Sequence, residues 1–333
     1  MISEMTHDIV TVGNALIDAF MTIEKNSQYV RVDRAHHELC FKYGQKIHVE
    51  QTSFLLGGNA CNVGVGLSRL GLKTGFVAEI GDDDFSQKIL NLLQKETLDL
   101  THLLITKNAA SSFAVGINFG GDRTLFIEHV HRKHEIDLTI LDTHWVYLTS
   151  LGEEWVHVYE QISKQAETGQ FSLAFSPGTH QLDEAHAAVK EALHQAKVLF
   201  VNKEEAMLLV KQYLHKETDD VASLLQMLHG SGIGVVSLTD GGNGSYAIDT
   251  DGSMYHVKTL ATPIVERTGA GDAYATGFLA AHLEKETVPE AMRWGSVNAA
   301  SVIGSMGAET GLLIKEQIQE QLMLHDGLQP KKL

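Results

Sequence analysis

Short apolar, β-branched runs recur along this chain, and each is followed by a longer stretch of helical period: Lys73–Glu79, Trp145–Leu148, Ser172–Phe175, Val198–Asn202 and Val235–Leu238. Crossovers of that length return the chain in the same direction, so the alternation predicts an α/β fold: a doubly wound, mostly parallel sheet with helices on both faces. Ile9–Gly13 reads as the first strand of the same series. Two regions break the rhythm, Ile17 to about Ser53 and Ser111 to about Val130. In the second, Phe113–Phe119 and Thr124–Val130 are strand-like pieces joined by Gly120-Gly121-Asp122, which has hairpin-turn composition. Pieces inserted between core units project from one edge, where a cover over a ligand cleft is built. A small β-sheet lid with strands from about 14–52 and 111–130 is therefore expected on a single domain spanning 1–333. Four prolines and no repeat or low-complexity tract leave no room for an extended hinge.

Composition narrows the function classes. Of 333 residues, 44% are hydrophobic and 20% charged, which places the chain among folded globular proteins rather than disordered ones. A formal net charge of -16 sets up a field that repels phosphate backbones and anionic headgroups, so neither nucleic acid nor membrane is an expected partner. Cys40 and Cys61 stand in no metal-ligand or redox spacing, and each suits a small buried hydrophobe in a reducing compartment. The start, with Glu4 and Asp8 before a short apolar run, lacks the basic region and long hydrophobic stretch of a signal peptide, and a cytoplasmic location is expected. No stretch approaches the roughly 18–20 apolar residues of a membrane-spanning helix.

The chemistry concentrates in a few loops. Glu266-Arg267-Thr268-Gly269-Ala270-Gly271-Asp272 runs straight into apolar residues at helical spacing. Gly269, Ala270 and Gly271 let the backbone turn tightly, so that unpaired N–H groups at a helix start point at an anion. Asp272 there serves either as a plain cap or as a base, since a carboxylate beside an anion hole repels phosphate unless it accepts a proton from an incoming hydroxyl. Gly57-Gly58-Asn59 enters a second helix, in which Ala60, Val63, Leu67 and Leu70 mark an amphipathic stripe. A bare backbone and an amide suit hydrogen bonding to a polyol, and a tight turn explains the same residues. Gly64, Gly66 and Gly71 satisfy neither dinucleotide motif nor P-loop, because Arg69 stands at the third glycine of GxGxxG and Leu72 at the P-loop lysine.

Three further pieces follow predicted strands or line a helix. Asn202 and Glu205 stand where an amide and a carboxylate organise hydrated Mg²⁺, or simply where a helix starts. Thr239-Asp240-Gly241-Gly242-Asn243-Gly244 suits a phosphate or ribose loop, or a turn into the strand Ser245–Ile248. Val297–Gly307 is rich in small residues, which fit either adenine near Asn298 or close helix packing. Asp18 sits amid apolar neighbours after the first strand; sugar hydroxyls, or an unseen Lys or Arg, would satisfy it. His129, His131 and His134 around Arg132 and Lys133 read as a solvated lid margin, and Gly81-Asp82-Asp83-Asp84 as a capped turn.

Taken together, Gly57-Gly58-Asn59 and Thr268-Gly269-Ala270-Gly271-Asp272 resemble the two signatures of ribokinase-like (pfkB) carbohydrate kinases, in the right order and separation. Asn202 with Glu205 is similar to the family's Asn-x-x-Glu, and Thr239 with Gly241 and Gly244 to its nucleotide loop. The resemblance implies phosphorylation of a sugar hydroxyl by ATP with Mg²⁺. It makes Asp272 the base and Gly269, Ala270 and Gly271 the anion hole, and it places the acceptor against Asn14, Asp18, Gly57, Gly58 and Asn59. Asn202, Thr239, Gly241, Gly244, Thr268 and Asn298 would meet ATP, with Glu205 reaching Mg²⁺ through water. The chain departs from the commoner signature at Glu266 and Arg267, where Asp and a small residue often stand. In several relatives that Asp helps hold a monovalent cation; with backbone carbonyls around Val302 to Met306, Glu266 is thus a candidate potassium ligand. Arg267 would meet a substrate or ATP phosphate. Gly13-Asn14-Ala15-Leu16-Ile17-Asp18 also resembles the start of adenosine kinases, so a nucleoside is the alternative acceptor. A catalytically silent nucleotide-binding regulator is the reading from another class. The apolar set Val30, Phe41, Tyr43, Ile47 and Val49 suits pairing of lids in a homodimer, or packing within one lid.

Overall fold

Alternate side chains of the run 198–201 point to opposite sides of a sheet. Leu199 and Val201 pack into one buried cluster, Val198 and Phe200 into another, as the two-residue period of a strand covered on both faces requires. The computed structural model describes residues 6–36, 38–119, 122–128 and 130–333. In chain order the first half contains β1 (His7–Val12), β2 (Leu16–Ile23), β3 (Val30–Asp33), β4 (Glu38–Phe41), β5 (Val49–Gly57), α1 (Asn59–Arg69), β6 (Thr74–Ile80), α2 (Asp84–Leu93), β7 (Leu103–Ile105), β8 (Phe113–Phe119), β9 (Asp122–Glu128), β10 (Thr143–Leu148) and α3 (Val156–Glu167). The second half contains β11 (Ser172–Phe175), α4 (Thr179–Glu184), α5 (Ala187–Gln195), β12 (Ala196–Asn202), α6 (Lys203–Leu214), α7 (Val221–His229), β13 (Val235–Thr239), β14 (Ser245–Ile248), β15 (Met254–Val257), α8 (Ala270–Leu283), α9 (Val288–Ile303), α10 (Lys315–Leu324) and β16 (Lys331–Lys332).

Ten strands form the main sheet in the order β16-β15-β14-β13-β12-β11-β10-β1-β6-β7. The members from β13 to β7 run parallel, and β14, β15 and β16 add an antiparallel edge. The chain winds outward in both directions from β1, which pairs with β6 on one side and β10 on the other. The carboxyl end of β1 is therefore the topological switch point, the place where such sheets form a crevice and bind ligands. There Asn14 N–H donates to Ser150 O at 3.1 Å, joining the exits of β1 and β10. A second sheet, ordered β5-β2-β8-β9, stands apart from the first, and β3 and β4 pair as a separate hairpin.

The predicted core strands are all present, and Asp83 caps α2 by accepting from Ser86 N–H at 2.9 Å. Several expectations change. The small sheet extends through β5 to Gly57, beyond residue 52, so it is continuous with the turn into α1. Helix α1 is not amphipathic in its setting: Ala60 through Ser68 are all buried, because α8 packs on the face opposite the main sheet. Val30 is buried rather than part of an exposed apolar face, whereas Phe41, Tyr43 and Val49 are exposed. Cys61 is buried, but Cys40 on β4 is partly exposed. The turn residues Gly120 and Gly121 lie outside the described residues, as does His129.

The reading of the histidine run as a solvated margin holds for His131, which is exposed beside Glu153, and for exposed Lys133, and fails for Arg132 and His134. Arg132 and His134 are 5% and 2% exposed and close on Glu79 at the end of β6, at 3.8 and 3.5 Å. Arg132 also donates to Ala110 O, and burial holds the His134 imidazole below its ordinary pKa, hence neutral. The segment leaving β9 is thus pinned to the segment that enters β8. Among the described residues no helix is long and apolar enough to cross a membrane.

Candidate active site

Gly269 begins the site. Its φ of 72° is left-handed, and a Cβ there would lie 2.4 Å from Ala308 Cβ, so only glycine lets the loop turn into α8 at this closeness. Ala270 N–H reaches back to Arg267 O at 3.3 Å and Ala273 N–H to Gly269 O at 2.8 Å. The amides between them, at Gly271 and Asp272, belong to the first turn and carry its positive dipole end. A Cβ on Gly271 would meet nothing within 4 Å, which makes the surface above this turn an open cradle.

Asp272 is half-buried at the cradle's edge. Asn62 Nδ2 donates to Asp272 Oδ2 at 2.8 Å. Burial pushes the Asp272 carboxyl up to about 7, the hydrogen bonds from Asn62 and Asn59 oppose that rise, and the nearby charges of Glu205 and Asp18 add to it. Asn59 and Asn62 are three apart on α1 and so share a face. Sequence reasoning singled out Asn59 and passed over Asn62; the i, i+3 repeat after the diglycine was the available signal. Asn59 Oδ1 also accepts from Ser150 Oγ at 3.2 Å, tying α1 to the crevice beside β1.

The diglycine is explained by what lies against it. A Cβ on Gly57 would fall 2.3 Å from Asp18 Oδ2, and one on Gly58, whose φ is 102°, 2.3 Å from Asn14 O. The bare backbone is room for the carboxylate of β2 and the carbonyl after β1. Asp18 is 7% exposed, and burial lifts it to about 6, with Glu266 raising it further and Arg123 lowering it. Asn59, Asn62, Glu205 and Asp18 thus all act on Asp272, although the five residues come from four separate stretches of chain.

Asn202 and Glu205 form a reciprocal capping box on α6: Glu205 N–H donates to Asn202 Oδ1 and Asn202 N–H to Glu205 Oε2, both at 2.8 Å. Burial raises the Glu205 carboxyl, partly offset by the Asn202 amide. Gly241 and Gly242 face open space in a 3-10 turn after Thr239, whereas Gly244 is needed for backbone approach, since its Cβ would lie 2.1 Å from Val257 O. Asn298, a candidate nucleotide contact, has its side-chain amide engaged within the chain. It is fully buried, its Nδ2 donates to Ala273 O at 2.8 Å and its Oδ1 accepts from Leu313 N–H at 3.0 Å. The small residues around it serve helix packing: Gly277 and Gly295 bring α8 and α9 so close that a Cβ on either would lie under 3 Å from the facing backbone.

Glu266 is 5% exposed, and Thr268 Oγ1 donates to its Oε1 while Gly307 N–H donates to its Oε2 at 2.8 Å. Arg123 of β9 stands 3.7 Å from the same Oε1. Arg267 is exposed and lines a cavity of about 260 Å³ together with Lys25, Asn118, Arg123 and Glu266.

The pfkB family carbohydrate kinase pattern matches residues 7–315, across both sheets. The chain belongs to the pfkB family of carbohydrate kinases. Curated pfkB relatives include the 5-dehydro-2-deoxygluconokinase of Clostridium perfringens, 25% identical over 282 residues that cover 80% of this chain and 83% of that protein. The enzyme of the same name from Geobacillus thermodenitrificans is 25% identical over 288 residues, covering 81% and 84%. The nucleoside kinase of Methanocaldococcus jannaschii superposes with a TM-score of 0.77 at 20% identity over 97% of this chain and 100% of that one. Arabidopsis thaliana ribokinase, complexed with ribose and ATP, gives 0.74 at 19% identity over 96% and 99%. These solved pfkB structures share the ribokinase-like fold with this chain.

Proposed function

We propose that this pfkB kinase transfers the γ-phosphoryl group of ATP to a hydroxyl of a small sugar or sugar acid, with Asp272 as the base. The observation that carries this reading is the position of Asp272: half-buried, in the first turn of α8, hydrogen-bonded by Asn62 and beside the open cradle at Gly271. A carboxylate lifted to about 7 is poised to take a proton near neutral pH. The hydroxyl proton passes to Asp272 as its oxygen bonds to the γ-phosphorus, and ADP leaves. The amides of the 269–271 turn neutralise charge developing on the transferred group.

The acceptor lies against Asp18, Asn14 and Asn59 at the carboxyl end of β1, beneath the β5-β2-β8-β9 sheet acting as a lid. The nucleotide lies along the open glycines 241 and 242 and the cradle, near Thr239 and Thr268. Magnesium fits the oxygen donors present. Glu205 offers one carboxylate, held upright by its capping box and electrostatically coupled to Asp272, which suits a hydrated ion arriving with phosphates. Such an ion supplies positive charge to the phosphates. The exposed Phe41 and Tyr43 at the β3–β4 hairpin and Val49 of β5 suit contact with a second copy, which a mass measurement in solution by light scattering tests directly.

ADP release with Mg²⁺-ATP across free sugars, sugar acids, sugar phosphates and nucleosides tests the assignment. Turnover on one acceptor that falls by about 10²–10⁴-fold in Asp272→Asn, with ATP binding retained, supports it. Turnover unaffected by Asp272→Asn refutes the assigned base, and a preference for nucleosides over every sugar refutes the acceptor class.

A further inference from the structure

Glu266 holds together the two loops that shape the cradle. Its Oε2 accepts Gly307 N–H at 2.8 Å, and Val265 and Glu266 N–H both donate to Ile303 O, at 2.9 and 3.2 Å. One loop enters α8 and the other leaves α9, and they touch again where Gly269 meets Ala308. A buried carboxylate at such a junction needs a positive partner.

The resemblance to potassium-binding relatives points to a monovalent cation here, but the two carbonyls at the end of α9 and both carboxylate oxygens of Glu266 already have partners in this chain. Ile303 O already accepts two N–H groups, and Val302 O accepts Ser305 N–H at 2.9 Å. On the carboxylate, Oε2 is taken by Gly307 N–H, while Oε1 is shared by the Thr268 hydroxyl and the Arg123 guanidinium at 3.7 Å. The positive charge comes instead from β9 of the small sheet, where Arg123 stands across the strand pair from Asn118.

We infer that the Arg123 guanidinium stands in for the monovalent cation, so that the anion-hole loop of this kinase is ordered by its own lid and does not respond to potassium. Arg123 is a positioning residue: it acts on the cradle through Glu266, and a fixed charge carried by the lid links lid position to the order of the loop before α8. The inference rests on the proposed reading of 269–271 as the anion hole, and its test needs no turnover.

The test is thermal melting of the intact protein in potassium chloride against tetramethylammonium chloride at matched ionic strength. Tm of the wild type is expected to be the same in both salts. Arg123→Ala opens space toward the neighbouring cavity of about 260 Å³, through which a small cation reaches Glu266. That variant is expected to melt lower by several degrees in tetramethylammonium and to recover selectively in potassium, whereas Arg123→Ala with Glu266→Gln shows no selectivity. Arg123→Lys, which keeps the charge, is expected to behave as wild type. Selective stabilisation of the wild type by potassium overturns the inference, as does an Arg123→Ala protein equally stable, or equally destabilised, in both salts. Loss of kinase activity on every acceptor leaves these melting outcomes unchanged, so failure of the functional reading and failure of this one are separable.

Discussion

Asn62 and Asp272, 210 residues apart in sequence, meet at 2.8 Å, amide nitrogen to carboxylate oxygen, and this contact opposes the rise that burial imposes on the proposed base. The amide favours the ionised carboxylate, while Glu205 and Asp18 disfavour it. A base works when deprotonated, so kcat/KM is expected to rise with pH through a limb near about 7 in the free protein. Asn62→Ala removes a bond to the charged form and moves the limb to higher pH. Glu205→Gln removes a like charge and moves it lower. Both are read from kcat/KM profiles, and shifts of the opposite sign would refute the electrostatic account.

Gly269 and Gly271 separate structure from chemistry within one turn. At Gly269 an added methyl meets Ala308 Cβ at 2.4 Å on a left-handed backbone, so Gly269→Ala is expected to cost about 1–3 kcal/mol, read by denaturant unfolding. At Gly271 the methyl enters open space. Gly271→Ala should therefore leave stability within about 0.5–1 kcal/mol of wild type while weakening use of ATP, because the methyl occupies the cradle.

Glu309 is raised to about 7 by burial, with the Arg69 charge and the Cys61 thiol opposing. Below its unfolded value of 4.5 both states hold the proton. As pH rises from 4.5 to about 7 the unfolded chain ionises first, so this group withdraws stability across that window and nothing further above it. Glu309→Gln should gain on wild type progressively over the same window, by at most about 3 kcal/mol, as measured by Tm at each pH.

The Glu79–Arg132 pair is buried on both sides, at 5% and 4% side-chain exposure. Removing one partner strands the other charge, so Arg132→Ala is expected to destabilise by about 3–5 kcal/mol. The Arg132→Met, Glu79→Met double variant should recover much of that loss; a double variant as unstable as the single one would show that packing dominates.

The parallel core was legible because its strands are buried on both faces and read as uninterrupted apolar runs, as at Val198–Val201. The strands β7, β15 and β16 were not, being only three, four and two residues long, too short to show a period. Asp272 and the glycines around it announced themselves through local chemistry. Asn62, Arg123 and Glu79 did not, because each matters through a partner far away in the chain: Asp272, Glu266 and Arg132 respectively. Local pattern carries no information about which distant charge will be folded against a buried one. The same blindness led Arg132 and His134 to be read as solvated, and it hid the bonds that Asn298 makes to Ala273 and Leu313.

Strand β5 runs without a break into Gly58 and α1. At about 3.3 Å per residue, its nine residues make a stiff arm about 30 Å long, with Asn59 at its inner end and Val49 at the tip of the lid. The diglycine between them is where such a sheet would pivot as a lid, and the amides of Asn59 and Asn62 that act on Asp272 lie just beyond it. Were the sheet to move in this way, a dye near Gln51 would report on the crevice, and a contact at the sheet's outer rim would reach the base.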